Sequence, residues 1–179
     1  MVKGMDAGVS FQEGDAERLP VADASFDAVI CECAFCTFPD KPAAAQEFAR
    51  VLRTAGRVGL SDLTRGLVLP KELDGLLAWI ACIADAQPVD RYVQYLSNAS
   101  FRLEHTEQHD EVRLEMVQQV RIKLLGTEIM VGLKKLHVPS IALETAKQTA
   151  QAALAAIQKG NLGYANISAA KVEDFNLSC

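Results

Sequence analysis

The sequence predicts an α/β fold built on a parallel-rich sheet, and three observations carry that prediction. Two short apolar runs, FDAVICE at 26–32 and RVGLSDL at 57–63, read as strands, and the first shows the sparse polar alternation of a strand buried on both faces. Segments with apolar residues at helical spacing separate the strand candidates, and strands alternating with helices favour parallel pairing. Half of the 179 residues are hydrophobic and 23% are charged, which is enough apolar surface for one sizeable core and too much for a disordered chain.

The elements follow in order. Residues 9–12 form a short strand candidate, ended by Gly14-Asp15. Residues 26–32 form the second. Asp40 is placed to cap a helix whose first turn tolerates Pro42. Ala45, Phe48, Ala49 and Leu52 give that helix one apolar face, and Gly56 is expected to end it. Residues 57–63 are the third strand. Pro70 opens a further helix, with Leu73, Leu76, Leu77, Ile80 and Ala84 as its buried stripe. Pro88 opens a shorter one, with Val89, Tyr92, Val93 and Leu96 on one side. Residues 101–109 alternate, which predicts a strand nearer the sheet edge. Helix is predicted over 110–125, resuming to 135. Pro139-Ser140 begins a helix that runs to Lys159, with Gly160 as its stop. Residues 162–168 are the last strand. Neither a repeat nor a linker divides the chain, so one domain spans 1–179.

Charge and composition narrow the function classes. A net charge of −5 argues against a broad nucleic-acid footprint, which needs a basic face. No apolar run approaches the roughly 20 residues that span a bilayer, and MVKGMDAGVSF lacks the apolar stretch of a secretory signal. A cytoplasmic protein is expected, with its five cysteines as thiols. Cys31, Cys33 and Cys36 lack a second C-x2-C pair, and His105 and His109 fall on a strand and its exit, so no metal site is expected. The sequence offers no acid–base dyad either.

One segment carries chemistry. In GDAERLP, at 14–20, Asp15 follows a strand candidate at the carboxyl end of a sheet, where open α/β folds bind ligands. A carboxylate there accepts a hydrogen bond from an exocyclic amine such as that of adenine, and the Ala16 N–H suits a ring nitrogen. The alternative is a turn aspartate that bonds its own backbone.

The running order from Phe11 to Thr64 decides how these residues are weighed. GDAE-x-LP is followed by an acidic-Ser-Phe-Asp run, an apolar strand and an amphipathic helix ending in RVLR-x-x-G. This order resembles the class I S-adenosylmethionine (SAM)-dependent methyltransferases, in particular the small-molecule enzymes of the type 11 kind. The resemblance implies a Rossmann-like methyltransferase sheet with a helical insertion before the last strand. It implies SAM as cofactor, with Asp15 and Ala16 at the adenine and Glu32, Cys33 and Ala34 beside the reacting methyl. Phe35 and Cys82 are placed toward substrate, with Phe38 and Trp79 as further wall candidates. The family opens with a strand, a G-x-G-x-G turn and a helix. The only glycines before Phe11 are Gly4 and Gly8, so the chain reads as N-terminally incomplete, with 1–65 as half of the core sheet and 66–179 as C-terminal helices and last strands. In the family's sheet order, 3-2-1-4-5-7-6, that leaves a strand edge for a second copy to cover. The resemblance therefore implies methyl transfer to a small-molecule acceptor, or else a non-catalytic relative that works through oligomer or partner assembly. Cys33 before AFCTFPDK and Cys82 in a C-I-A segment are similar to the arsenite methyltransferases, whose thiols bind trivalent arsenic; packing as small buried side chains explains them equally.

Overall fold

A computed structural model of the chain describes residues 8–66, 68–73, 75, 82–83 and 85–172. Four strands, β1 (Phe26–Glu32), β2 (Leu52–Arg65), β3 (Phe101–Gln108) and β4 (Leu162–Lys171), form one sheet in the order β1-β2-β4-β3. Among the described residues four helices accompany it: α1 (Lys41–Val51), α2 (Val89–Asn98), α3 (Asp110–Gly132) and α4 (Ser140–Gln158). Short 3-10 turns stand at Phe35–Thr37 and Lys71–Leu73. The order reproduces the 4-5-7-6 half of the sheet expected from the resemblance.

The sheet is less parallel than expected. β1 and β2 are parallel, but β4 runs antiparallel to both β2 and β3. The cause is the α3–α4 hairpin, an even number of helices between β3 and β4, which returns the chain with its direction reversed. Residues 9–12 are not a strand: Phe11 is 96% exposed, and no described strand offers that backbone a ladder partner.

α1 starts as the sequence predicts. The Asp40 carboxylate accepts from the Ala43 N–H at 3.0 Å, and Pro42 sits in the first turn. Its end is earlier than predicted. Leu52 turns extended and pairs with Phe26, and residues 53–56 then bulge before Arg57 pairs with Ala28. Gly56 is the tight point of that bulge, where a Cβ would stand 2.8 Å from the Arg53 carbonyl oxygen. The expected two-part helix after Asp110 is one continuous helix, and Gly160, at φ +70°, ends α4.

The main core gathers Phe35, Phe48, Leu52, Val58, Leu60, Tyr92, Leu96, Phe101 and Ile167 between the sheet, α1 and α2. A second cluster, with Leu73, Ala153, Ala156, Ile157 and Leu162, seats α4 beside the end of β2. β1 departs from the expectation of burial on both faces. Cys31 is buried, but Ile30 is 82% exposed, because α1 and α2 cover only the opposite face. The helix predicted from Pro70, with Leu76, Leu77, Ile80 and Ala84, falls mostly outside the described residues, as does Trp79. Among the described residues no helix is long and apolar enough to cross a membrane.

Candidate active site

All four strands contribute to the region at the carboxyl end of β1. Register aligns one residue from each strand: Glu32 stands opposite Ser61, Ser61 opposite Asn166, and Asn166 opposite Glu107. In-register residues share a face, so these four polar side chains form a row across the sheet.

The chain leaves β1 at Cys33, which takes a left-handed φ of 49° and donates its N–H to the Ser61 carbonyl at 2.8 Å. That turn brings the exposed Cys33 Sγ to 3.6 Å from the Tyr164 hydroxyl. Tyr164 also reaches the Ser61 side chain, and burial, then the Cys33 contact, push its phenol up to about 12. The Ser61 hydroxyl donates to Asn166 Oδ1 at 2.7 Å, and Asn166 Nδ2 lies 2.9 Å from His109 Nε2. Glu107 approaches the same His109 nitrogen at 3.4 Å.

On the other face the thiols converge around Asp62. This carboxylate is 1% exposed and accepts from the Cys36 N–H at 2.9 Å and the Leu63 N–H at 2.7 Å. The Cys36 thiol touches both Asp62 and Cys82, and burial pushes it far above its ordinary range. Cys31 is held at about 11 by burial and by the negative charge of Asp62. Cys82, half-buried at a φ of 60°, points its Sγ at the Cys33 carbonyl at 3.9 Å. The Cys82 thiol therefore meets the Cys33 backbone, although 49 residues separate the two in sequence. Among the described residues no group of three or more His, Cys, Asp and Glu side chains is arranged to hold a metal ion.

Asp15 sits in a turn rather than after a strand. It bridges to Arg18, and one carboxylate oxygen accepts from the Glu17 N–H at 2.9 Å. Glu17 in turn accepts from the Asp40 N–H at 2.7 Å, which pins the turn to the start of α1 and hence to the carboxyl end of the sheet. The Asp15 carboxylate bonds its own turn, as the second of the two sequence readings expects. Glu32 and Cys33 are exposed and Ala34 is half-buried at the same edge.

Phe35 departs from its expected place. It has no exposure and packs among Phe38, Phe48, Tyr92 and Tyr95 in the main core. The 3-10 turn after Ala34 rotates it away from the edge. Ser61, Tyr164, Asn166 and His109 were not singled out as a set by the sequence, since only strand register brings them together.

Residues 2–60 match the family model described as a methyltransferase domain. That segment makes the chain similar to the class I SAM-dependent methyltransferases. It is 34% identical over 107 residues to an arsenite methyltransferase of Halobacterium salinarum, covering 58% of this chain and 27% of that one. It is 30% identical over 168 residues to O-methyltransferase resE of Aspergillus sclerotiorum, covering 92% of this chain and 57% of that one. Among solved structures, phosphoethanolamine N-methyltransferase 2 of Haemonchus contortus superposes with a TM-score of 0.68 at 16% identity, over 89% of this chain and 36% of that one. The chain thus spans between about a quarter and just over half of the length of these relatives. The structural likeness, at that identity, shows the Rossmann-like fold.

Proposed function

We propose that the protein transfers a methyl group from SAM to a small-molecule acceptor. The observation that carries this reading is the joint placement of the Asp15 turn and the Glu32–Cys33–Ala34 turn at one end of the sheet, where family members hold the cofactor. The residues fit that role. Among the described residues only the Glu17 N–H reaches the exposed Asp15 carboxylate, which leaves it capacity for an amine, and the Ala16 N–H has no partner. The backbone at Cys33, held by its bond to Ser61, presents a fixed wall.

SAM, when bound, supplies an electrophilic methyl group. Asp15 and Ala16 hold the adenine end, Glu32 to Ala34 line the methionine end, and Cys82 and Tyr164 flank the place where an acceptor must stand. The protein's contribution is proximity and alignment for in-line attack. Isothermal titration with S-adenosylhomocysteine tests the reading. Micromolar binding, weakened at least tenfold in Asp15→Ala, is expected; no binding at millimolar ligand sinks it.

A second reading narrows the acceptor to trivalent arsenic. The contact between the Cys82 thiol and Cys33 supports it, as does the similarity to the arsenite methyltransferase of Halobacterium salinarum. Soft thiolates suit a thiophilic centre. Arsenite should then protect Cys33 and Cys82 together from alkylation. Alkylation unchanged by arsenite leaves the generic acceptor reading in place and removes this one.

A further inference from the structure

Two of the thiols stand on backbone that side chains seldom adopt. Cys33 takes φ 49° and Cys82 takes φ 60°, both in the left-handed region, where a residue with a Cβ stays only if its surroundings hold it. At Cys33 the holding group is the Ser61 carbonyl, which accepts the Cys33 N–H. At Cys82 it lies in the turn that follows. The Ala86 N–H closes that turn on the Ile83 carbonyl at 3.3 Å, and both residues are buried. Beyond it, the Gln87 N–H donates to the Tyr92 hydroxyl at 3.0 Å, and the Gln87 carbonyl accepts from the Arg65 N–H at 3.2 Å. Asp85, inside the turn, places its carboxylate on the Lys41 ammonium. Lys41 is 5% exposed, and the same ammonium donates to the Phe38 carbonyl at 3.0 Å, at the end of the 3-10 turn that follows Cys33 and Ala34. One buried cation therefore ties together two segments that each carry a thiol of the site, although Lys41 and Asp85 are 44 residues apart. Desolvation offsets most of the attraction in a buried ion pair, so what such a pair contributes is geometry more than stability.

We propose that Lys41 is a positioning residue for the acceptor side of the site, which holds the Cys82 thiol against the Cys33 turn through Asp85 and the Phe38 carbonyl. The proposal rests on the reading that Cys82 flanks the acceptor, and deepens it. Gln87 fastens the far end of the segment to β2. Without the ammonium the Asp85 turn is free to swing about Gln87 and to carry the Cys82 thiol away from the Cys33 carbonyl, 3.9 Å from it. Asp85 is 35% exposed, so water takes the place of Lys41 at its carboxylate once the turn has moved. The acceptor that needs such a device is a soft centre taking sulfur ligands from both segments at a fixed spacing, as against one that only fills an apolar pocket.

Site-resolved alkylation of the full chain with iodoacetamide, read by mass spectrometry, tests the clamp in wild type, Lys41→Met, Asp85→Asn and the double variant. Cys82 should react about tenfold faster in each single variant, as the loss of one hydrogen bond to a charged group provides, and no faster in the double variant than in the faster single one. Cys31, 7% exposed in the main core, should react at an unchanged rate. An unchanged Cys82 rate, or a double variant whose effect is the product of the single ones, overturns the pairing. Cys31 quickening in step with Cys82 overturns it too, since Lys41 would then hold the fold and not one thiol. Asp85→Asn, at a partly exposed carboxylate, decides the matter alone if Lys41→Met fails to fold. Phenylarsine oxide reads the consequence for the site. It should protect Cys33 and Cys82 jointly in wild type, and about tenfold more of it should be needed in Lys41→Met. Equal protection in both proteins overturns the positioning role. No protection in wild type counts against the sulfur-bound acceptor alone, because the alkylation rates are read without ligand.

Discussion

The two hydrophobic clusters are built on different terms. Around Phe35, large aromatic side chains from the β1 exit, α1 and α2 meet edge-on or tilted, with ring centroids 5.7–6.4 Å apart. Beside α4, the cluster rests on small residues, Ala153 and Ala156, with Leu73, Ile157 and Leu162. Its outer partner α3 is apolar on more than one side: Ile122, Leu125 and Ile129 are 61%, 56% and 63% exposed. The first cluster locks the sheet to its helices, while the second attaches a helical hairpin along one line. The proposed site sits at the locked end, and the hairpin packs beside the end of β2.

The largest expected effect breaks the locked cluster. Phe35→Ala removes a ring with no exposure that touches four other aromatics, and should cost about 3–5 kcal/mol in chemical denaturation. A loss below about 1 kcal/mol would mean that the aromatic centre is not where the stability resides. Next in size is Asp62→Ala. It leaves the Cys36 and Leu63 N–H groups without their acceptor, at about 1–3 kcal/mol for each buried donor. The loss should fall on the turn that carries Cys33 and Cys36, so hydrogen exchange at the Cys36 amide should quicken more than exchange in α4.

Those two residues also show how much was legible in the sequence. The strand at 26–32, the Asp40 cap, the Pro88 and Ser140 helix starts and the Gly160 stop were readable because each is set by local chemistry within one turn. The Asp15 turn and Cys33 are site candidates through a family's running order alone. Phe35 was misplaced because one 3-10 turn decides whether the residue after Ala34 faces the edge or the core, and composition is silent on that. The helix end at Val51 was missed because Gly56 reads as a stop, whereas tertiary pairing of Leu52 with Phe26 overrides it. Ser61, Asn166 and His109 could not have been found together, since they lie on three segments joined only by antiparallel register. The polar–apolar–polar order of NIS at 166–168 was the one available hint.

The third prediction uses pH to compare the ends of β1. Cys31 is 7% exposed, with its thiol held at about 11 against 9.0. The folded state keeps a proton that the unfolded chain releases near pH 9. The contribution is therefore complete below pH 9 and is lost as pH rises through about 11. Between these values wild-type stability should fall, with roughly 2–3 kcal/mol of the loss due to Cys31. In Cys31→Ala the fall should be smaller by that amount. Cys36, shifted in the same direction, keeps a residual slope in the variant. Equal slopes in both proteins would show that Cys31 ionises as freely folded as unfolded.

The smallest effect sharpens the contrast from the other side. Ile129 is an isoleucine, yet it is 63% exposed on a helix with its neighbours Ile122 and Leu125 on the same outer stripe. If the hairpin owes its place to the inner line alone, Ile129→Lys should change the denaturation free energy by less than about 0.5 kcal/mol, as for other exposed positions. Leu143 on α4 is 8% exposed, and Leu143→Ala should cost about 2–5 kcal/mol. The pair of values separates two accounts of an apolar residue on a helix: hydrophobicity gives the same sign for both positions, burial gives a large effect for one and almost none for the other. A loss at Ile129 comparable to that at Leu143, measured at low protein concentration, would mean that the outer stripe of α3 is covered within the folded chain and that the hairpin is fastened on two sides.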